Sequence, residues 1–291
     1  MAASHCYDDF STQASNKKES QRYNVIRLET FSHQSVHQND FFFRDGTPSK
    51  STIEIKRIYK HPLYKYPNLY NDVAVIELGR RIEYDYDKFG DSPTCLDQGQ
   101  RDNINKIATV QGYGVTEDGE VGTLLETNVT VITNELCKEY IDYNSTLNKA
   151  IKKQINKALD NGLNYGFLCV QGFPSKDGKT ISGSCKGDSG GPLTAGSRFA
   201  DDPQTLIGIV SGGIGCGKGV PGWYTKVAFF YPWIDCIIQT SKDNKGNRNK
   251  VEEKCNKLAQ ELVPPCVSTD DLLFADDVDL RSNDIFQIPS C

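Results

Sequence analysis

Residues 183–193 read GSCKGDSGGPL, from Gly183 to Leu193, and the interpretation of this stretch decides the fold. Five small residues surround one serine, so the backbone can turn tightly and aim successive N–H groups at one point. Converging donors of this kind suit the oxygen of an attacked carbonyl as it gains negative charge, an effect worth about 10²–10³ in rate per donor. Serine is a weak nucleophile until a base takes its proton. This reading therefore requires a histidine, and a third group to orient that histidine. The plain alternative is a Gly-rich turn holding an ordinary serine, which a shorter motif would not displace.

The chain has four histidines, at 5, 33, 37 and 61. His61 precedes a proline in KHPLY, which suits a loop, and His33 and His37 lie in a polar stretch. His5, in MAASHC, is followed by a cysteine that could anchor it. For the orienting acid, LYNDVAVIEL places Asp72 at the head of an apolar run. A carboxylate about to be buried needs a hydrogen-bonded partner, because an unpaired buried charge is costly. Taken alone, Asp72 reads equally as a strand-start aspartate.

Together the three motifs resemble those of the trypsin/chymotrypsin-like serine peptidases. AASHC (2–6) is similar to that family's histidine motif, NDVAVIEL (71–78) to its aspartate motif, and GDSGGPL (187–193) to its serine motif; the order His5, Asp72, Ser189 is also the family's. GYG (112–114), IVSGG (209–213) and GWYTKV (222–227) extend the likeness from residue 1 to about 240. The resemblance implies His5 as general base and then acid, Asp72 holding its tautomer, and Ser189 as nucleophile. Gly187 and Ser189 N–H would form the oxyanion hole, and Asp188 would receive the ammonium released by zymogen cleavage. It implies disulfides Cys137–Cys169 and Cys185–Cys216, and a pocket built from Gly183, Ser184, Ser211, Gly212, Gly213 and Gly222. Gly183 stands where a carboxylate would select Arg or Lys, so the expected preference is for a large apolar residue such as Phe, Tyr or Leu. Two departures are notable: Gly212 replaces the family's usual tryptophan, and Trp223 replaces a small apolar residue.

The remaining sequence agrees with that expectation. YNVIRL, STIEIKRIY, DVAVIEL, KIATVQGYG, NVTVIT, TLIGIVSGG and WYTKV read as short strands with turn signals between them. An all-β fold follows, and the resemblance specifies two antiparallel six-stranded barrels with a C-terminal helix and a Cys-containing tail. The first barrel, within 1–105, would be incomplete; the second and its helix would occupy 106–240, with a charged linker and extension over 241–291. LNKAIKKQINKALDNG predicts an amphipathic helix with Leu147, Ile151, Ile155, Ala158 and Leu159 on one face. Its lysines, at 149, 152, 153 and 157, read as a solvated side or as an anionic docking stripe. YPWIDCIIQ predicts a second helix with Pro232 in its first turn, and KVEEKCNKLAQEL a third.

Ten cysteines without a CxxC pair read as a disulfide framework from an oxidising compartment. Sequons at Asn128 and Asn144 agree with secretion. Cys236, Cys255, Cys266 and Cys291 are expected to pair among themselves, in one of three connectivities. No secretory leader, no membrane span and no calcium-ligand spacing is evident, and a net charge of −5 gives no basis for nucleic-acid binding. No metal or cofactor is expected. The partners implied are protein or peptide substrates and the inhibitors of such enzymes. The resemblance also places strands, the partner of Cys6, a bridge to Cys95 and the activation site upstream of the histidine. MAASHC is thus expected to be a truncation point, and the chain alone to be inactive. The rival expectation is a homologue that uses the fold for binding without catalysis.

Overall fold

The computed structural model describes residues 1–7, 25–27, 52–82, 93–100, 102–116, 118–120, 124–143, 147–160, 162–196, 204–214, 216–243 and 247–262. Near the N-terminus, β1 (Val25–Arg27), β2 (Thr52–Lys60) and β3 (Ala74–Leu78) form an antiparallel sheet in that order. Among the described residues this sheet stands where the sequence predicts the first barrel. Ala2 pairs with Ala74 through two backbone hydrogen bonds, Ala2 N–H to Ala74 O at 3.0 Å and Ala74 N–H to Ala2 O at 2.7 Å. The first residues of the chain are thereby attached to the edge of β3.

The second half closes on itself. Strands β5 (Ile107–Gly112), β6 (Leu125–Ile132), β7 (Phe167–Gly172), β8 (Pro192–Ala195), β9 (Thr205–Gly212) and β10 (Gly222–Lys226) run in the order β10-β7-β6-β5-β8-β9, and β10 pairs with β9 to complete a six-stranded antiparallel barrel. Closure satisfies strand edges that would otherwise invite pairing with other chains. A short strand, β4 (Cys95–Leu96), lies parallel to β9. Ala108, Val110, Val129, Val131, Leu168, Leu193 and Tyr224 fill the barrel. Strand β9 is apolar on both faces because it separates two cores: Ile207 and Val210 point into the barrel, and Ile209 into a cluster outside it.

Helix α1 (Asn134–Tyr143) and helix α2 (Lys149–Ala158) lie between β6 and β7. Asn148 caps α2, its Oδ1 accepting from Ile151 N–H at 2.9 Å. Leu147, Ile155 and Leu159 are buried with Cys137, Cys169 and Trp223, while Ile151 and Ala158 pack at the margin.

Helix α3 spans Val227–Asp243, so it begins a full turn before the predicted position and carries Pro232 in its interior. Burial overrides the proline signal. Val227, Phe230, Trp233, Ile234 and Ile237 make one helical face, and that face docks on Ile209 together with Ala3, Tyr59 and Val73 from the N-terminal segments. Position 240, the expected domain limit, falls within this helix. Helix α4 (Arg248–Glu261) follows, capped by Asn247, and buries Val251, Cys255 and Ala259 against α3. Cys236–Cys255 bridges the two helices; Cys266 and Cys291 lie outside the described residues. Cys137–Cys169 ties α1 to β7, and Cys185–Cys216 joins the loops beside the barrel mouth.

Candidate active site

Asp72 is fully buried at the start of the apolar run, and both carboxylate oxygens and its carbonyl are engaged. Oδ1 accepts the backbone N–H of His5 at 2.9 Å. Oδ2 lies 2.6 Å from His5 Nδ1 and accepts the Ser211 hydroxyl at 2.7 Å. Its carbonyl accepts from Thr225 Oγ1 at 2.7 Å. Three hydrogen bonds to one carboxylate offset the desolvation that burial imposes. His5 sits in a 3₁₀ turn (Ser4–Tyr7), steadied by Ser4 Oγ donating to Val73 O at 2.6 Å. The sequence therefore brings His5 and Asp72 together across the sheet edge, and the turn fixes the ring's orientation.

Burial alone would lower the His5 pKa. Hydrogen bonds and charge from Asp72 and Cys6 outweigh it, holding His5 above an ordinary histidine. Cys6 is in no disulfide among the described residues. His61 is also buried, edge-on to Phe230 and Trp233, and burial lowers its pKa to about 4. The loop expected there exists, but its histidine serves the core. His33, His37 and Asn144 lie outside the described residues. Asn128 is exposed on β6, and Oδ1 accepts from Thr109 Oγ1 at 3.2 Å.

Ser189 stands at the tip of a turn whose neighbours Gly187 and Gly190 have φ of 96° and 80°. Gly191 N–H donates to Asp188 O at 2.8 Å and Gly190 N–H to Val210 O at 2.9 Å, which pins the turn to β9. A Cβ on Gly190 would come within 3.3 Å of Ala3 N and Cys6 Sγ, so the turn rests directly against the His5 segment. Gly187 and Ser189 N–H donate to no acceptor among the described residues. Nor does Ser189 Oγ make a hydrogen bond there, to His5 or to any other group. The carboxylate of Asp188 turns the other way, accepting from Gly114 N–H at 2.8 Å and Cys185 N–H at 2.7 Å.

A cavity of about 300 Å³ opens beside Ser189. Gly183, Ser184, Gly212, Gly213 and Gly222 line it, with Val220 and Tyr224, as do two cations, Lys186 and Lys218. Among the described residues no carboxylate contributes to its wall. The space beyond Gly183 is empty within 4 Å of a built Cβ. Ser211 differs from the other expected pocket residues, since its side chain turns to Asp72. Sequence reasoning placed Ser211 near the site without identifying this bond.

Gly212 and Trp223 are partners in the β9–β10 register. A Cβ on Gly212 would meet Trp223 Nε1 at 2.2 Å and Leu69 Cδ1 at 2.9 Å. The indole therefore occupies the volume a side chain at 212 would need, and the two sequence departures are one exchange.

A closed antiparallel barrel carrying a serine turn against a half-buried histidine on a buried aspartate is consistent with a chymotrypsin-like architecture. Consistent with this, the family model "Trypsin" matches residues 1–234, and the chain belongs to the trypsin family. It is 30% identical over 192 residues to CLIP domain-containing serine protease C9 of Anopheles gambiae, covering 65% of this chain and 51% of the relative. Clotting factor G beta subunit of Tachypleus tridentatus is 30% identical over 199 residues (65% and 57%). Phenoloxidase-activating factor 1 of Holotrichia diomphalia is 32% identical over 193 residues (64% and 46%). The chain spans about half the length of these relatives.

Proposed function

We propose that this chain carries the catalytic domain of a secreted serine endopeptidase. Ser189 Oγ attacks the carbonyl carbon of a bound peptide and gives its proton to His5 Nε2, while Nδ1–H remains bonded to Asp72. Gly187 and Ser189 N–H receive the oxyanion. His5 then protonates the leaving amine, and a water activated by the same imidazole hydrolyses the acyl ester. The observation that carries this reading is the buried Asp72 carboxylate, which holds His5 by both backbone and ring. The three-stranded sheet belongs to a first barrel, and the cleft lies between it and the closed barrel.

The cavity favours a large uncharged side chain before the cut bond. Lys186 and Lys218 oppose Arg or Lys there, and Gly183 supplies no counter-charge. Three disulfides fit an oxidising compartment, and exposed Asn128 suits glycosylation. Among the described residues no helix is long and apolar enough to cross a membrane.

One observation favours a second reading, of a protein-binding homologue without catalysis: Ser189 Oγ makes no hydrogen bond to His5. In resting enzymes this contact often tightens only when substrate binds. The experiment that decides is active-site titration of the full-length protein with a fluorophosphonate, alongside peptide hydrolysis. Stoichiometric labelling at Ser189, and turnover lowered by about 10⁶ in Ser189→Ala, are expected. Equal activity in both proteins would overturn the assignment, and failure to label with an intact fold would favour the binding reading.

A further inference from the structure

Helix α2 has no part in the chemistry above, yet its charges break local rules. Lys149, Lys153 and Lys157 are exposed and recur every fourth residue, so they form a row about 12 Å long on one side of the helix. No acidic residue occurs between Tyr143 and Asp160. Among the described residues none of the three lysines has an ion pair. The neighbouring acids are engaged elsewhere: Asp142 binds Lys138, and its carbonyl accepts from Lys152 at 3.0 Å. Asp160 accepts from Asn68. Like charges four apart destabilise a helix, and Lys149 also stands at the positive end of the helix dipole. The helix retains two unfavourable arrangements that an anionic partner would relieve.

The helix that carries the row is joined to the candidate cleft through Leu69. At the C-terminal end of α2, Ala158 O accepts from Leu69 N–H at 2.9 Å. The Leu69 methyl in turn abuts Gly212, which lines the cavity beside Ser189. An extended peptide advances about 3.3 Å per residue, so the row matches roughly four residues of a chain leaving the cavity past Gly212. We infer that Lys149, Lys153 and Lys157 dock an acidic stretch of the protein substrate, several residues away from the bond to be cut. The identity of the occupant rests on the peptidase reading; the charge of the surface does not.

The test uses the full-length protein carrying Ser189→Ala and fluorescein-labelled peptides with a Phe for the cavity. Four Glu residues are placed either before or after the Phe, and each peptide has a Gln counterpart. At low salt, one Glu peptide should bind about tenfold more tightly than its Gln counterpart, with the advantage shrinking as salt screens the charges. The triple variant Lys149→Gln, Lys153→Gln, Lys157→Gln should lose that advantage while circular dichroism is unchanged, since Gln and Lys have similar helix propensity. Equal binding of Glu and Gln peptides, or an advantage that persists in the triple variant, would overturn the inference. So would lysine-dependent binding of heparin with no preference for the Glu peptides. Hydrolysis of a short neutral peptide, measured with Ser189 intact, separates the two readings: its absence counts against the peptidase and leaves the binding result standing.

Discussion

Two groups of glycines flank Ser189, and they are glycine for opposite reasons. Behind the serine, a Cβ on Gly112 would stand 1.9 Å from Asp188 Oδ1, and one on Gly114 2.6 Å from the same carboxylate. In front of it, Gly183 has nothing within 4 Å, and Gly213 meets only the Cα of Gly222, at 3.7 Å. The first group is glycine because the protein already fills the space. The second borders space that the protein leaves open. Sequence alone shows the same letter in both, and only the neighbours separate a structural requirement from a binding volume.

Gly112→Ala is the severest way to break that distinction. Displacing a half-buried carboxylate from its two N–H donors should cost about 4–5 kcal/mol, at the far end of single substitutions. It should also abolish fluorophosphonate labelling, because the Asp188–Ser189 turn would move. Thermal unfolding and labelling check both, and near-wild-type values would show that Asp188 has another place to go.

Gly212→Ala tests an intermediate case, where the obstructing atoms belong to a side chain. It should destabilise by about 1–3 kcal/mol through overpacking against Trp223. Trp223→Val in the same chain should recover part of that loss, giving a coupling energy of about 0.5–3 kcal/mol in a double-mutant cycle. Strict additivity would mean the two positions do not share one volume.

The third prediction concerns pH. In the proposed mechanism His5 must be neutral to accept the serine proton, and its folded pKa is raised. The acid limb of kcat/KM should therefore lie above the ordinary histidine value of about 6.5. The same shift fixes the sign for stability. The His5 contribution is fully present below about pH 6.5 and is lost as pH rises through the folded value. Cys6→Ser should move the limb downward, since Cys6 is one of the groups that raise the ring. An unmoved limb would exclude the thiol.

Gly183→Ala should have the smallest effect on folding, within about ±0.5 kcal/mol, because its Cβ enters open space. Its consequence should appear instead in the peptide profile, with the largest side chains losing ground to smaller ones. A large stability loss with an unchanged profile would invert the assignment of the two groups.

The parts of this site that could be read in the sequence were those written contiguously. The serine turn is local, so its glycines, its prolyl strand start and its neighbour Cys185 announced themselves together. The strands β1, β2, β3, β5, β6, β9 and β10 were visible because their β-branched or aromatic residues lie between clear turn signals. Strands β7 and β8 and helix α1 were not predicted. FLCVQG is apolar without alternation and PLTA is only four residues long; α1 does carry apolar pairs at Leu136/Cys137 and Tyr140/Ile141, but over only ten residues. Ser211 reaches Asp72 across 139 positions, and no spacing rule links residues so far apart. The Gly212–Trp223 exchange needed the strand register before two oddities became one fact. Pro232 misled because its local signal was weaker than the apolar face that begins at Val227.

The cluster that joins Ala3 to Trp233, Ile237 and Cys255 has a consequence for biosynthesis. The histidine's segment is translated roughly 230 residues before the helix on which it rests. At ~5–20 residues per second that interval is about 10–50 s. Throughout it, the nascent chain carries His5 and Asp72 without the floor that supports them. The helix that finishes the support is itself secured by an oxidation step between Cys236 and Cys255. Assembly of the candidate site is thus deferred until residues 227–261 have been made and this bridge has formed.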